Sequence, residues 1–335
     1  MENDPNFPMG LQISPSTPNH GSTSTRANIL PCNGDVAFGS AAQQLSIQKY
    51  GIAGRVWEAA YAIIAYINRD ASWDFDPPFV YEQSSTPRRV FIELGSGTGI
   101  VAARISDSGA LRTRDLLFVT DLPEVCPLLE NNLRDQLNAT ASSSLSSNGS
   151  VTVRPLAWGN YEHALQIARD LGLDSECDGS DPRHLTHIIC SDLVYFPELL
   201  APLLRTLIHL TSLPFGLPSE EGSVQIVISY KVRSLAKETA FWSAFGLWFT
   251  FVPVVARRRT SQEQTEWERF GSNGGDQVFI FIAHRRPESH AWEVPRDDQD
   301  LIDGVGAKGT VNRKGDDTFE TLLLMDLAGD EEIMV

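Results

Sequence analysis

The sequence predicts an α/β fold: a seven-stranded, mostly parallel sheet with helices on both faces and an antiparallel hairpin at one edge. Three observations predict it. Short apolar runs recur along the chain, separated by segments whose apolar residues follow helical spacing, and that alternation implies parallel strands covered by helices. The first strong run, Val90-Phe91-Ile92, breaks into glycines at 95, 97 and 99 and resumes as the helix-periodic Ile100-Val101-Ala102-Ala103-Arg104-Ile105, a strand–turn–helix unit. Two more runs, 251–255 and 277–283, arrive late with only a loop between them, which places an antiparallel pair at an edge.

Taken in order, residues 1–35 are rich in Ser, Pro, Asn, Thr and Gly and are expected to be disordered. Around Gln44-Leu45-Ser46-Ile47 the pattern suggests a short hairpin or edge strand. Arg55 to Asn68 is a helix, with Val56, Ala59, Ala60, Ile63, Ile64 and Ile67 at helical spacing. A loop of Asp, Pro and Ser (70–87) leads to the glycine unit. Leu116 to Asp121 is a buried strand that ends in a carboxylate, and Pro123 opens a helix to about Leu137. The Ser/Asn-rich 139–150 is a loop. Val151 to Leu156 is a third strand, followed by Trp158 and a helix from Tyr161 to Leu171. His187 to Ser191 is a fourth strand, leading through Asp192 and Tyr195 into a helix from Pro197 to Leu210. Val224 to Tyr230 is a fifth strand, and Glu238 to Phe249 an aromatic-rich helix. Beyond Arg286 about nine net negative charges fall within fifty residues, so 287–335 reads as an acidic, mostly disordered tail in which Thr321 to Met325 is an apolar element. The folded domain is therefore expected over 36–286.

The glycine turn carries the chemistry. Glycines there accept positive φ and lack a Cβ, so a ligand can lie against the backbone, beside the free N–H groups of a helix start. A dinucleotide pyrophosphate wants G-x-G-x-x-G. Here the third position is Ile100, and a glycine comes one residue early, at Gly99. Glu93, two residues before the first glycine, would repel a pyrophosphate but attract the cationic amino-acid end of S-adenosylmethionine. Asp121 lies about 26 residues past Gly95, near the ~20-residue offset at which an acid meets ribose hydroxyls. In an open sheet the ligand lies at the carboxyl ends of the strands, and Glu93, Asp121, Trp158 and Asp192 all sit at such ends. Taken singly, each has a plainer use: Asp121 or Asp192 as a helix cap, Trp57 or Tyr195 as packing.

The set Val56-Trp57-Glu58-Ala59-Ala60, Glu93-Leu94-Gly95-Ser96-Gly97-Thr98-Gly99, Thr120-Asp121, Asn131-Asn132, Trp158-Gly159 and Asp192-Leu193-Val194-Tyr195 resembles the seven-β-strand, Rossmann-like methyltransferases that use S-adenosylmethionine. More narrowly, it resembles the protein-lysine methyltransferases with a D-x-x-Y motif, which modify elongation factors and chaperones. The resemblance spans about 40–286. It implies that Glu93, Gly95 and Gly97 hold the methionine part of the cofactor, with Ser96 among the cofactor-binding residues, that Asp121 binds the ribose and that Trp158 flanks the adenine. Trp57 and Ser191 match further cofactor contacts, while Asp192 and Tyr195 line the place where the lysine amine meets the methyl. Ser229-Tyr230-Lys231-Val232-Arg233 matches only loosely. Physics agrees with these roles: transfer from a sulfonium needs positioning and a neutral amine, and aromatic faces stabilise cationic nitrogen.

A small-molecule N-methyltransferase of the nicotinamide type is the alternative acceptor reading, and an NAD-dependent oxidoreductase is a more distant one. The net charge of −16 argues against a nucleic-acid partner. No run reaches the ~18 apolar residues of a membrane span, and the N-terminus lacks the regions of a signal peptide. The scattered Cys32, Cys126, Cys177 and Cys190 fit a reducing cytoplasm, and His184, His187 and His284 share no metal-ligand spacing, so no metal is expected. The expected protein is a cytoplasmic monomer whose partner is a protein presenting a target lysine.

Overall fold

The computed structural model describes residues 6–8, 10–17, 35–68, 73–80, 88–135, 137–138, 149–173, 183–217, 223–259, 266–270 and 278–331. The strands in chain order are β1 (Trp73–Asp76), β2 (Val90–Leu94), β3 (Leu116–Asp121), β4 (Ser150–Pro155), β5 (His187–Ser191), β6 (Gln225–Lys231), β7 (Phe249–Pro253), β8 (Val255–Arg258), β9 (Glu268–Arg269) and β10 (Val278–Arg285). The helices are α1 (Asp35–Phe38), α2 (Ser40–Tyr50), α3 (Glu58–Ile67), α4 (Ile100–Asp107), α5 (Cys126–Asn132), α6 (Tyr161–Asp170), α7 (Pro197–Leu210), α8 (Leu235–Trp248), α9 (Asp298–Ile302) and α10 (Thr318–Glu331).

Seven strands form the main sheet in the order β4-β3-β2-β5-β6-β10-β7. β2 to β6 run parallel, with Glu93 level with both Val119 and Ile189, and Ser191 level with Ser229. β10 is antiparallel to both β6 and β7, so the late strands do close one edge as an antiparallel pair, with the last strand inserted inside the sheet. This is the Rossmann-like sheet that the alternation predicts. The chain leaves β2 toward β3 and β4 and returns to β5 on the other side. The switch point therefore lies at the carboxyl end of β2, at the glycine turn.

Successive residues of the parallel strands face opposite layers, as the pleat requires. Ile92, Ile188 and Ile226 bury against Trp242 and Phe245 of α8, while Phe91, Ile189 and Val227 bury against Ile63 of α3 and Val101 of α4. Both faces are covered, which is why these strands read as unbroken apolar runs rather than alternating ones.

Several expectations meet a different structure. The stretch around Gln44-Leu45-Ser46-Ile47, read as a hairpin or edge strand, lies instead within α2; Gln43 and Ile47, one turn apart, face inward. Within the N-terminal stretch expected to be disordered, residues 6–8 and 10–17 are docked on the domain, and Asn6 and Ser16 are buried. Residues 1–5, 9 and 18–34 of that stretch, and the 139–148 insertion, lie outside the described residues. The loop expected at 70–87 contributes β1, which joins β8 and β9 in a second, three-stranded sheet.

The acidic stretch after 286 is the largest difference: it folds onto α7 and α8. Leu301, Ala307 and Phe319 are buried, and the Phe319 ring stacks on Trp242 at 4.9 Å with an interplanar angle of 12°. Its acidic residues find arginines of the domain, Asp298 with Arg205 at 2.7 Å and Asp316 with Arg286 at 3.6 Å. Net charge misled here because a few apolar anchors and paired charges suffice to dock a short segment. Within the apolar 321–325, Leu322 and Leu323 pack against the core, while Leu324 and Met325 are exposed.

Candidate active site

A cavity of about 470 Å³ opens over the carboxyl ends of β2, β3, β5 and β6. Its volume falls in the ~300–1,000 Å³ range of small-molecule and cofactor sites. Of the residues predicted from sequence, Trp57, Gly95, Gly97, Asp121, Trp158, Ser191 and Tyr195 line it. Glu93, Ser96 and Asp192 are buried just behind its wall.

The glycine turn is built as its sequence requires. Gly95, Gly97 and Gly99 all have positive φ, at 55°, 55° and 81°. A Cβ on Gly95 would meet Leu193 Cδ2 at 2.8 Å, and one on Gly97 would meet the Ala53 carbonyl at 3.1 Å, so the backbone itself forms this wall. Asn132 ties the turn from α5 by donating its amide to the Thr98 carbonyl at 2.9 Å. The Ser96 N–H donates to Thr120 O at 3.0 Å, which joins the turn to β3.

Two carboxylates stand at the switch point. The Gly97 and Leu122 N–H groups donate to Asp121 at 2.7 and 2.8 Å, which aligns the carboxylate with the turn. Burial nevertheless raises Asp121 to about 6. Glu93, 1% exposed, is pushed up to about 8, first by burial and then by the nearby Asp121. Its Oε2 has no hydrogen-bond partner among the described residues. A buried polar atom of this kind calls for a partner, an ordered water or a ligand.

The opposite wall is aromatic. Trp158 and Tyr195 meet edge-on at 6.4 Å, and Phe196 meets Tyr195 at 4.8 Å. Burial raises the Tyr195 phenol well above its ordinary range, so it stays protonated. Trp57 donates its indole N–H to Ile52 O at 3.0 Å, and its ring lies under two guanidiniums, Arg55 at 4.2 Å and Arg233 at 5.3 Å.

Arg233, at the end of the stretch that matches the family only loosely, is a wall residue to which the sequence assigned no role. It lies on the cavity wall and grips both oxygens of Asp192. Its second partner is Glu58 at 3.4 Å, and Glu58 is itself paired with Arg55 at 2.5 Å. Buried Glu238 fixes the loop that carries Arg233 by accepting from the N–H groups of Arg233 and Ser234 and from the Tyr230 hydroxyl. Asp192, expected to face the acceptor amine, is thus turned toward Arg233 and held at φ 63°, a strained conformation for a non-glycine residue. The strand-end rule that found Asp192 also covers Arg233, which lies two residues beyond β6.

A family model described as lysine methyltransferase matches residues 41–245. The chain belongs to the lysine methyltransferase family. Protein N-lysine methyltransferase METTL21A of Xenopus tropicalis is 28% identical over 213 residues, covering 64% of this chain and 76% of the relative. EEF1A lysine methyltransferase 3 of the same organism is 29% identical over 160 residues, covering 48% and 53%.

This lysine methyltransferase uses S-adenosylmethionine, and the residues present fit it. Gly95 and Gly97 line the cavity with backbone at positive φ, Glu93 Oε2 has no partner among the described residues behind them, and Asp121 presents a carboxylate at the adjoining strand end. Among the described residues there is no cluster of three or more metal-ligating side chains, and no helix is long and apolar enough to cross a membrane.

Proposed function

We propose that this methyltransferase modifies a lysine presented by a protein such as a translation elongation factor or chaperone, within the cytoplasm. The observation that carries the reading is the aromatic wall of Trp158, Tyr195 and Phe196 beside the glycine turn. An aromatic wall suits a slender alkyl side chain that ends in an amine. The rim beyond it is built from Pro197 and Lys237, which are exposed and so open to a macromolecule.

Bound S-adenosylmethionine supplies an electrophilic methyl group on a sulfonium. The protein does the positioning. Asp121 holds the ribose hydroxyls, Trp158 flanks the adenine, and Gly95, Gly97 and Glu93 receive the amino-acid end, with Ser96 fixing the turn and Trp57 and Ser191 closing the sides. Tyr195 lends its ring face to the incoming amine. Asp192 acts through Arg233 as a positioning residue. By pairing with Asp192, Arg233 keeps that carboxylate from holding the amine in its protonated form and so favours the nucleophilic one.

The test is incubation of the enzyme with radiolabelled S-adenosylmethionine and a cell lysate, followed by separation of proteins from metabolites. A discrete labelled protein band, sensitive to Lys→Arg substitution in the target, supports the reading. Label confined to a small amine, as a nicotinamide-type enzyme would give, overturns it.

A further inference from the structure

The N-terminal residues lie outside the span matched by the family, yet they reach its cavity. Asn6 and Leu11 are part of the cavity wall. The Asn6 carbonyl accepts from the Ile52 N–H at 2.8 Å, and Asn6 is 6% exposed. Gly51 sits so close beneath that a Cβ there would fall 1.7 Å from the Asn6 oxygen. Any side chain at 51 would therefore expel this segment.

A single buried amide holds the rest of the segment. Gln43, 1% exposed, uses its whole bonding capacity. Its Oε1 accepts from the N–H groups of Ser16 and Val56 at 3.0 and 3.1 Å. Its Nε2 donates to the carbonyls of Ser16 and Phe38 at 3.0 and 2.8 Å. Arg55, stacked on Trp57 of the cavity wall, donates to the Ser14 carbonyl at 2.8 Å. The segment is thus tied at Asn6, Ser14 and Ser16 by bonds that specify its path, not by apolar burial: Phe7 and Leu11 remain exposed.

We propose that residues 6–8 and 10–17 belong to the cofactor site, walling the pocket of the cofactor's amino-acid end, with Gln43 as their positioning residue. The assignment rests on the cofactor orientation given above. Adenosine is placed by Asp121 and Trp158, at β3 and beyond β4. The amino-acid end then runs along the glycine turn, over which the Ala53 carbonyl lies, and Asn6 caps the neighbouring Ile52. The strap adds a wall to a zwitterionic ligand and leaves the adenosine side untouched.

The experiment compares S-adenosylhomocysteine with 5′-methylthioadenosine, which keeps the adenosine and sulfur but lacks the amino-acid end. Calorimetry is run on the full chain, on a chain lacking residues 1–17 and on Gln43→Ala, with melting temperatures alongside. The expected result is a tenfold or greater loss of S-adenosylhomocysteine affinity in both variants, with methylthioadenosine affinity kept within twofold. Hydrogen exchange on the full chain serves even where a variant fails to fold: amides of 10–17 gain protection with S-adenosylhomocysteine but not with methylthioadenosine. Equal losses for both ligands, unchanged affinities, or protection by both ligands alike would overturn the proposal while leaving the site reading intact. A full chain that binds neither ligand would overturn both.

Discussion

Arg233 closes on Asp192 with two parallel bonds, Nη1 to Oδ1 at 2.6 Å and Nη2 to Oδ2 at 2.5 Å, and the Asp192 side chain is left 1% exposed. A bidentate pair of this geometry is directional as well as charged. It means that the D-x-x-Y aspartate and a residue 41 positions later act as one unit. A double-mutant cycle with Asp192→Asn and Arg233→Met should give a coupling energy of about 0.5–3 kcal/mol in kcat/KM, with S-adenosylhomocysteine affinity within a few fold throughout. Strictly additive effects would show that the two residues act separately.

Asp121→Ala removes the acceptor for the Gly97 and Leu122 N–H groups. Cofactor affinity should fall by about 1–3 kcal/mol, the scale for losing charge-assisted bonds. Calorimetry with S-adenosylhomocysteine checks it, and unchanged affinity would reduce Asp121 to a brace for the turn.

Glu93 predicts a pH dependence with a definite sign. Its folded-state value is raised from 4.5 to about 8, so the folded protein holds the proton more tightly than the unfolded chain. Its contribution to stability is whole below about pH 4.5 and is lost as pH rises through about 8. The melting temperature of the ligand-free protein should fall over that window, and Glu93→Gln should flatten the fall. A cationic ligand amine favours the ionised carboxylate, so S-adenosylhomocysteine affinity should rise with pH over the same range in the wild type and less in Glu93→Gln. An identical pH profile in the variant counts against the role.

Gly97→Ala puts a side chain at φ 55° with its Cβ 3.1 Å from the Ala53 carbonyl. The left-handed conformation alone costs about 1–2 kcal/mol. Because that carbonyl borders the cavity, the variant should lose cofactor affinity beyond what its melting temperature explains. A loss confined to stability would detach Gly97 from the ligand.

Phe319→Ala removes a buried ring stacked on Trp242. Large-to-small core changes of this kind cost about 3–5 kcal/mol, and urea denaturation should show a lowered midpoint. A midpoint like that of the wild type would mean that the Phe319 stack contributes nothing to the fold.

The sheet was legible because strands buried on both faces must read as apolar runs, and the glycine turn because positive φ leaves so few residue choices. Seven of the ten predicted site residues reach the cavity wall because strand ends are where an open sheet leaves its ligand crevice. What the sequence hid depended on long-range pairing. Nothing local in Arg233 announces a partner at 192, nothing in Gln43 announces Ser16, and Phe319 in its acidic setting gives no sign of Trp242. Composition classed both terminal segments as unstructured because it weighs average polarity, whereas these segments dock through a few placed bonds and a few apolar anchors such as Leu301 and Phe319.

The strand that pairs with the outer edge of β6 is the last of the sheet to be synthesised, since β10 ends at Arg285. While the chain is still emerging from the ribosome, β6 therefore presents Val227 and Ile228 along an unpaired edge. The aromatic surface of α8 likewise waits for Phe319. A nascent chain stalled before residue 278 would carry the glycine turn and an unpaired sheet edge together, and exposed strand edges of this kind are prone to aggregate.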